Sequence, residues 1–240
     1  MTEFDVVVIG AGAVGENAAA YAARGGLSVA LVEAELVGGE CSYWACMPSK
    51  ALLRTGHAAA ALRRLPGTTA EFDPRAVLAR RDAFTHSLDD SSQVEWAEQT
   101  GLTVLRGHGR ITGERAVEVD GRAHTARHAV VVCTGSTPVT PPVPGLDTVR
   151  HWTSRDATST REIPRRLGVL GGGVVGCELA QAFRRLGSEV VLVQNGSALL
   201  PSTEPVAGER VAAALREEGV DLRLGASLDS VSASGDAIDL

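Results

Sequence analysis

Cys41 and Cys46, with four residues between them, sit in the run Gly38-Gly39-Glu40-Cys41-Ser42-Tyr43-Trp44-Ala45-Cys46-Met47-Pro48-Ser49-Lys50. Two thiols at this spacing are compatible with a redox couple, a structural staple or part of a metal site. Upstream lies Gly10-Ala11-Gly12-Ala13-Val14-Gly15, a dinucleotide-binding pattern. Thiols beside a bound dinucleotide point to electron transfer into a dithiol. The spacing also carries geometry. In a regular helix the Cα atoms of residues five apart lie ~8–9 Å from each other, whereas a disulfide tolerates up to about 7 Å. A bonded pair therefore requires a loop or a distorted first turn. The thiolate is the reactive form, and a helix start with a nearby Lys favours it. Lys50 lies one helical turn past Cys46. Two cysteines fall short of the four ligands of a structural zinc.

The elements that must position these thiols repeat. Asp5 to Ile9 reads as an apolar strand, the glycine run follows, and an Ala-rich helix extends to Arg24. A second strand, Val29 to Val32, ends at Glu33. The pattern returns with a strand from Leu167 to Leu170, then Gly171-Gly172-Gly173-Val174-Val175-Gly176, a helix through Arg185, and a strand from Val190 to Val193 ending at Gln194. Glu33 and Gln194 each stand 23 positions past the first glycine of their copy (10 to 33, 171 to 194). In such a motif the first glycine permits the turn, the second lets backbone approach a pyrophosphate, and the third lets helix and strand pack closely. The pyrophosphate then meets the helix N-terminus. An acid at the offset of Glu33 accepts from ribose hydroxyls. Two matched copies predict an α/β protein with two dinucleotide-binding domains of the Rossmann type.

Between the copies, Ser49 to Leu65 reads as a helix, and Asp73 to Gln99 as mostly helical with a break at Asp89 to Ser92. Thr103 to Leu105 is a predicted strand. Val117 to Val119 and Ala123 to Thr125 form a predicted hairpin around Asp120-Gly121, and Val130 to Cys133 a separate buried strand. Pro138, Pro141, Pro142, Pro144 and Gly145 mark a linker, so the domains are placed at 1–148 and 149–240. An amphipathic helix is expected around Glu204 to Glu217, a strand at Val220 to Leu224, and hairpin strands at Leu228 to Val231 and Ala237 to Leu240. The pattern stops there, which leaves the second domain incomplete and predicts a longer polypeptide.

Composition excludes several classes. A net charge of −6 spread along the chain gives no basic stripe for nucleic acid and no polybasic membrane patch, and 4% aromatics leaves little for base stacking. No apolar run is long enough for a membrane span or a signal-peptide core. A cytoplasmic location follows, where a close cysteine pair is more often catalytic or metal-binding than structural. Cys133 and Cys177 read as small buried core residues.

The chain resembles the N-terminal portion of the class I pyridine nucleotide–disulfide oxidoreductases, a family that includes lipoamide dehydrogenase, glutathione reductase and mercuric reductase. Its most specific motif here is Gly38-Gly39-x-Cys41, four residues, Cys46-x-Pro48-Ser49-Lys50, in the right order relative to both glycine runs and to Thr134-Gly135. The resemblance implies that Gly10, Gly12, Gly15, Glu33, Gly39, Gly109, Thr134 and Gly135 hold FAD. It implies that Gly171, Gly173, Gly176 and Gln194 hold NAD(P)H. Cys46 would face the flavin, Cys41 would exchange with substrate, and Lys50 would lie near the flavin and pair with Glu178. The implied activity passes electrons between NAD(P)H and a disulfide or dithiol, in a homodimer whose His–Glu acid–base pair would come from a C-terminal region beyond these residues. No resident metal is implied. The six histidines are read as surface or local structural residues.

The chain departs from that pattern in places. Ala45 stands where the family usually has glycine, a strain only if the position needs positive φ. Tyr43 and Trp44 are bulky, and read as packing. Gln194 carries no charge, so it neither marks NADH as an acid does nor NADPH as an Arg does. Alternatives are a metal-ion or quinone reductase of the same fold, and a non-catalytic FAD-binding redox sensor.

Overall fold

The computed structural model describes residues 2–235 and 237–239. The chain divides into two compact units. One holds the described residues up to Pro48 together with Asp82–Thr137, and the other Ser49–Arg81 together with the described residues from Pro138 on.

The first unit is built on β1 (Thr2–Ile9), α1 (Ala13–Arg24), β2 (Val29–Glu33), α2 (Gly39–Tyr43), α5 (Ser91–Gln99), β3 (Leu102–Arg106), β4 (Gly109–Gly113), β5 (Ala116–Val119) and β6 (Arg122–Val132). Two further helices bridge the division in sequence, α3 (Cys46–Arg63) and α4 (Pro74–Phe84). Six strands form one sheet in the order β3-β2-β1-β6-β5-β4. The first four are mutually parallel and the last two antiparallel. A continuous apolar run such as Val6–Ile9 suits a strand covered on both faces. Val6 and Val8 pack with Ala19, Val29 and Leu31 on one side, whereas Val7 and Ile9 pack with Ala30, Val32, Val117 and Val119 on the other. Phe4 joins the second set, although strict alternation puts it with Val6, because the β1–β6 register shifts between Phe4 and Val6.

Asp5 sits at that shift. Its carboxylate accepts from the Ser28 N–H at 2.9 Å, the Ser28 hydroxyl at 2.8 Å and Arg127 Nη1 at 2.7 Å. The Ser28 bonds, backbone first, hold its pKa below the usual carboxylate value. A depressed acid contributes stability that is present above its unfolded pKa, about 4, and is lost as pH falls through the folded value. Urea midpoints measured from pH 6 downward are expected to drop for wild type below about pH 4. The Asp5→Asn protein should lack that component of the slope, the two curves converging at low pH.

Two segments differ from the sequence reading. Ala123–Thr125 and Val130–Cys133 are not separate strands: β6 runs unbroken from Arg122 to Val132. The charged stretch between them is tolerated because Arg127 turns outward to Glu3 and Asp5. Val132 is 58% exposed and Cys133 only partly buried, so this end is not a buried core strand. β4 is an added strand, paired antiparallel with β5.

The second unit contains most of α3 and α4, then α6 (Ser154–Ser159), β7 (Arg166–Leu170), α7 (Val174–Arg185), β8 (Glu189–Gln194), α8 (Pro205–Glu217), β9 (Asp221–Leu224), β10 (Ser232–Ser234) and β11 (Ala237–Asp239). β7, β8 and β9 form a parallel sheet in that order. Its core joins Phe183, Leu192, Leu199 and Leu215 to Leu52, Leu53, Val77 and Leu78 of the two bridging helices. Leu228–Val231 is not a hairpin strand. Val231 is buried and its N–H bonds to Pro144 O at 2.9 Å, so the linker takes the pairing and the hairpin starts at Ser232. Leu240, the end of the other expected strand, lies outside the described residues.

Among the described residues no helix is long and apolar enough to cross a membrane.

Candidate functional site

The two glycine runs have nearly the same backbone. Gly10 and Gly171 take φ of 98° and 106°, a left-handed conformation that side chains disfavour. Gly12 caps α1 at φ −76°, ψ −178°, and Gly173 caps α7 at φ −75°, ψ −176°, with no side-chain cap on either. The Gly10 N–H bonds to Val32 O and the Gly171 N–H to Val193 O, both at 2.8 Å. A helix start without a side-chain cap offers its N–H groups and the positive end of its dipole to an anion.

The third glycines are there for packing. A Cβ on Gly15 would lie 1.8 Å from Gly10 O, and one on Gly176 would lie 1.9 Å from Gly171 O. The second glycines differ. A Cβ on Gly173 meets nothing within 4 Å, and one on Gly12 only Gly39 Cα at 3.9 Å. This is a cradle shaped for close approach of a ligand, and it fits a dinucleotide pyrophosphate in both units.

The strand-end residues are also equivalent. Glu33 Oε2 accepts from the Ala11 N–H at 2.7 Å, and Gln194 Oε1 accepts from the Gly172 N–H at 2.8 Å. Both side chains thus latch onto the turn after the first glycine. Glu33 also accepts from the Glu35 N–H at 2.8 Å, and the Gly107 N–H bonds to its carbonyl at 2.9 Å. That bond brings Gly109 over the strand ends, where a Cβ would lie 2.8 Å from Ile9 Cγ2 and 3.2 Å from Val32 Cγ1. Thr134 and Gly135 follow β6 in an exposed loop, and a Cβ on Gly10 would strike Cys133 O at 2.3 Å. Gly10, Gly12, Gly15, Glu33, Gly39, Gly109 and the start of the Thr134 loop therefore gather around the ends of β1 and β2.

The cysteine segment docks on this loop. Gly12 bridges Gly38, and a Cβ on Gly39 would lie 2.7 Å from Gly12 Cα. The approach is held from behind by Asp90, which accepts from the Val37 N–H at 2.7 Å and pairs with Arg106 at 2.5 Å. Cys41 lies in α2. The chain breaks at Trp44 (φ −130°, ψ −10°), and Cys46 begins α3. The pair is thus carried by a broken turn, not by one regular helix. α3 starts three residues before the expected Ser49. Ala45 is absent from the positive-φ residues among those described, so it carries no such strain.

Cys46 lies close enough to act on the Cys41 thiol. Burial, followed by the neighbouring Cys46, pushes the Cys41 thiol up to about 11. Cys46 is exposed and Cys41 partly buried. Tyr43 is buried, its ring edge-on to Trp44, and its phenol is pushed up to about 12 by burial and then by Asp90 and Glu16.

In the second unit Lys50 Nζ lies 2.7 and 2.5 Å from the two carboxylate oxygens of Glu178, on α7 just past Gly176. Lys50 is 60% and Glu178 29% exposed, so the pair is solvent-screened and its worth is positional. Cys177 is buried, which raises its thiol pKa.

The sequence reading missed Glu16. Its carboxyl is raised above the usual range by burial and then by Glu33. A carboxyl directly after the third glycine of an Ala-rich helix was the available signal. Among the described residues no group of three or more His, Cys, Asp or Glu side chains could hold a metal ion.

The chain is similar to several characterised proteins. It is 36% identical to a mercuric reductase of Streptomyces lividans, covering 99% of this chain and 52% of the relative. It is 35% identical to a dihydrolipoyl dehydrogenase of Chlorobaculum tepidum, covering 97% and 51%. A solved structure, the Cu(II) complex of the HOCl-induced flavoprotein disulfide reductase RclA from Escherichia coli, superposes with a TM-score of 0.85 at 26% identity, covering 99% of this chain and 53% of that one. The chain therefore spans about half the length of these relatives. The profile of the pyridine nucleotide-disulphide oxidoreductases matches residues 4–240, and the chain belongs to that family, whose members use FAD and NAD(P)H.

Proposed function

We propose that the whole protein is an oxidoreductase that passes electrons between NAD(P)H and a substrate disulfide or dithiol through Cys41 and Cys46. One observation carries this reading: the two thiols stand side by side on a broken turn that docks directly onto the first dinucleotide loop. FAD, when bound, supplies the two-electron carrier between nicotinamide and thiols. Gly10, Gly12, Gly15, Glu33, Gly39, Gly109, Thr134 and Gly135 would hold it, and Gly171, Gly173, Gly176 and Gln194 the nicotinamide dinucleotide. Cys46, exposed at the start of α3, is the thiol on the flavin side. Cys41 attacks the substrate disulfide, and Cys46 resolves the mixed disulfide. Lys50, held by Glu178, keeps a positive charge one turn from Cys46. In this reading 1–148 is the FAD-binding domain and 149–240 belongs to the nicotinamide domain of a cytoplasmic homodimer.

The test is anaerobic addition of NADH or NADPH to the full-length protein. A long-wavelength thiolate–flavin absorption band is expected, and Cys46→Ser should abolish it. A colourless protein with two inert thiols would end the reading. A second reading, reduction of a metal ion, is favoured by the names of the mercuric reductases and by the Cu(II) complex of RclA. NAD(P)H consumption that depends on added Hg(II) or Cu(II), and not on any disulfide, would select it.

A further inference from the structure

The segment between β2 and α2 carries Cys41 into place, and side chains of the same unit grip its backbone. The Glu35 N–H donates to Glu33 Oε1 at 2.8 Å, and Glu35 O accepts from Arg106 Nη1 at 2.8 Å. The Val37 N–H donates to Asp90 Oδ2 at 2.7 Å, and the same oxygen accepts from Arg106 Nη2 at 2.5 Å. The Gly38 N–H then bonds to Ala11 O at 2.8 Å, on the first dinucleotide loop. Val37 is fully buried and shares a core with Ala97 of α5. Asp90 is the N-cap of α5, where an Asp side chain ordinarily accepts from an N–H of its own helix. It makes no such bond. Asp89 accepts from the Ser91 N–H instead, at 2.9 Å. The Asp90 carboxylate, 13% exposed, is turned to the segment that leads to Cys41. The charges of Asp90 and Arg106 also reach Tyr43, two residues past Cys41 on α2.

We propose that Asp90, with Arg106, is a positioning residue for the thiol pair. The proposal rests on the redox reading of Cys41 and Cys46 above. Asp90 holds the chain four residues before Cys41, and Arg106 holds it two residues earlier still. Together they set where α2 stands against the first dinucleotide loop before any S–S bond forms. A charged partner makes such bonds shorter and stronger than those between neutral groups. A thiol whose segment is already anchored loses less freedom when the pair closes. The clamp therefore favours the Cys41–Cys46 disulfide over the dithiol and makes it harder to reduce. Neither residue touches the sulfurs or a substrate in this role. Each acts through the backbone that carries Cys41.

The test is a redox equilibrium of the full-length protein at pH 7, with no nucleotide added, in graded ratios of oxidised to reduced dithiothreitol. The reagent's S–S bond breaks as the Cys41–Cys46 bond forms. Two electrons and two protons pass from the two thiols to the reagent, which leaves as its dithiol. Alkylation and mass measurement of the peptide holding both cysteines give the oxidised fraction. Asp90→Ala should need about ten times the oxidised-to-reduced ratio of wild type for half oxidation, a potential less reducing by about 30 mV. Asp90→Asn keeps an oxygen for the Val37 N–H and should recover part of that shift. Asp5→Asn, which weakens the same unit away from this segment, should leave the midpoint in place. An unmoved midpoint in folded Asp90→Ala, or the same shift in Asp5→Asn, overturns the Asp90 assignment alone. If wild type forms no Cys41–Cys46 bond at any ratio, the redox reading falls, and this proposal with it. Should Asp90→Ala fail to fold, Arg106→Met decides: it removes the donors to Asp90 and to Glu35 O, and an unmoved midpoint overturns the proposal.

Discussion

Gly176→Ala should destabilise the protein by about 3 kcal/mol, whereas Gly173→Ala, three residues earlier, should leave stability nearly unchanged and weaken dinucleotide binding. The added methyl group at 176 would lie 1.9 Å from Gly171 O, a backbone atom that moves only if the whole turn moves. Overpacking of this kind costs about 1–3 kcal/mol, and a backbone neighbour puts it at the upper end. For a chain of 240 residues this is a fall in Tm of roughly 6–12 °C. At 173 a Cβ meets nothing within 4 Å and φ is −75°, so alanine is accommodated. The space it fills is the space a pyrophosphate needs. Isothermal titration with NADH and NADPH should therefore show at least a tenfold loss, about 1.4 kcal/mol, with the thermal melt in place. Equal melts for both variants would mean that the third glycine is not a packing device. Unchanged binding in Gly173→Ala would remove the nucleotide from this loop.

The second large effect is at Arg81. It is 2% exposed, and its guanidinium donates from Nη1 to Thr158 O and from Nη2 to Thr160 O, the latter at 2.8 Å. Within the second unit these bonds tie Arg81 of α4 to the end of α6. Arg81→Ala removes a large buried side chain and takes donors from two carbonyls. Truncation of a large buried side chain costs about 2–5 kcal/mol, and each buried acceptor deprived of its donor about 1–3 kcal/mol. A total of about 3–5 kcal/mol is expected, read as the shift of the urea midpoint. Arg81→Met restores volume without donors and should recover roughly half of it. A midpoint within experimental error of wild type would show that the helix end finds other donors.

The glycine-run units were legible because their signal is local. Turn, helix start and strand end follow each other within two dozen residues, and both copies fold to nearly the same φ and ψ. What was not legible depends on distant partners. β6 looked like two strands because Arg127 and His128 interrupt its apolar pattern, and the partners of Arg127, Glu3 and Asp5, lie on the neighbouring strand. Leu228–Val231 has the composition of a strand, but Pro144 captures the Val231 N–H. Gly109 carried no local reason for its place until the Gly107–Glu33 bond drew it over the strand ends. Glu16 is the instructive miss at the site. Composition marks it as one more polar residue on a helix, and its burial beside Glu33 appears only in the folded unit.

The shared latch from the strand-end side chain to the turn has a consequence for engineering nucleotide preference. On the proposed reading position 194 has two tasks, since Gln194 already spends its carbonyl oxygen on the Gly172 N–H. An arginine there, the obvious choice for a 2′-phosphate, has no acceptor to offer and would release the turn it was meant to serve. On the proposed reading, preference is better rewritten at the neighbouring, exposed Asn195, with the amide at 194 left in place. The latch thus fixes which of two adjacent positions is free to vary.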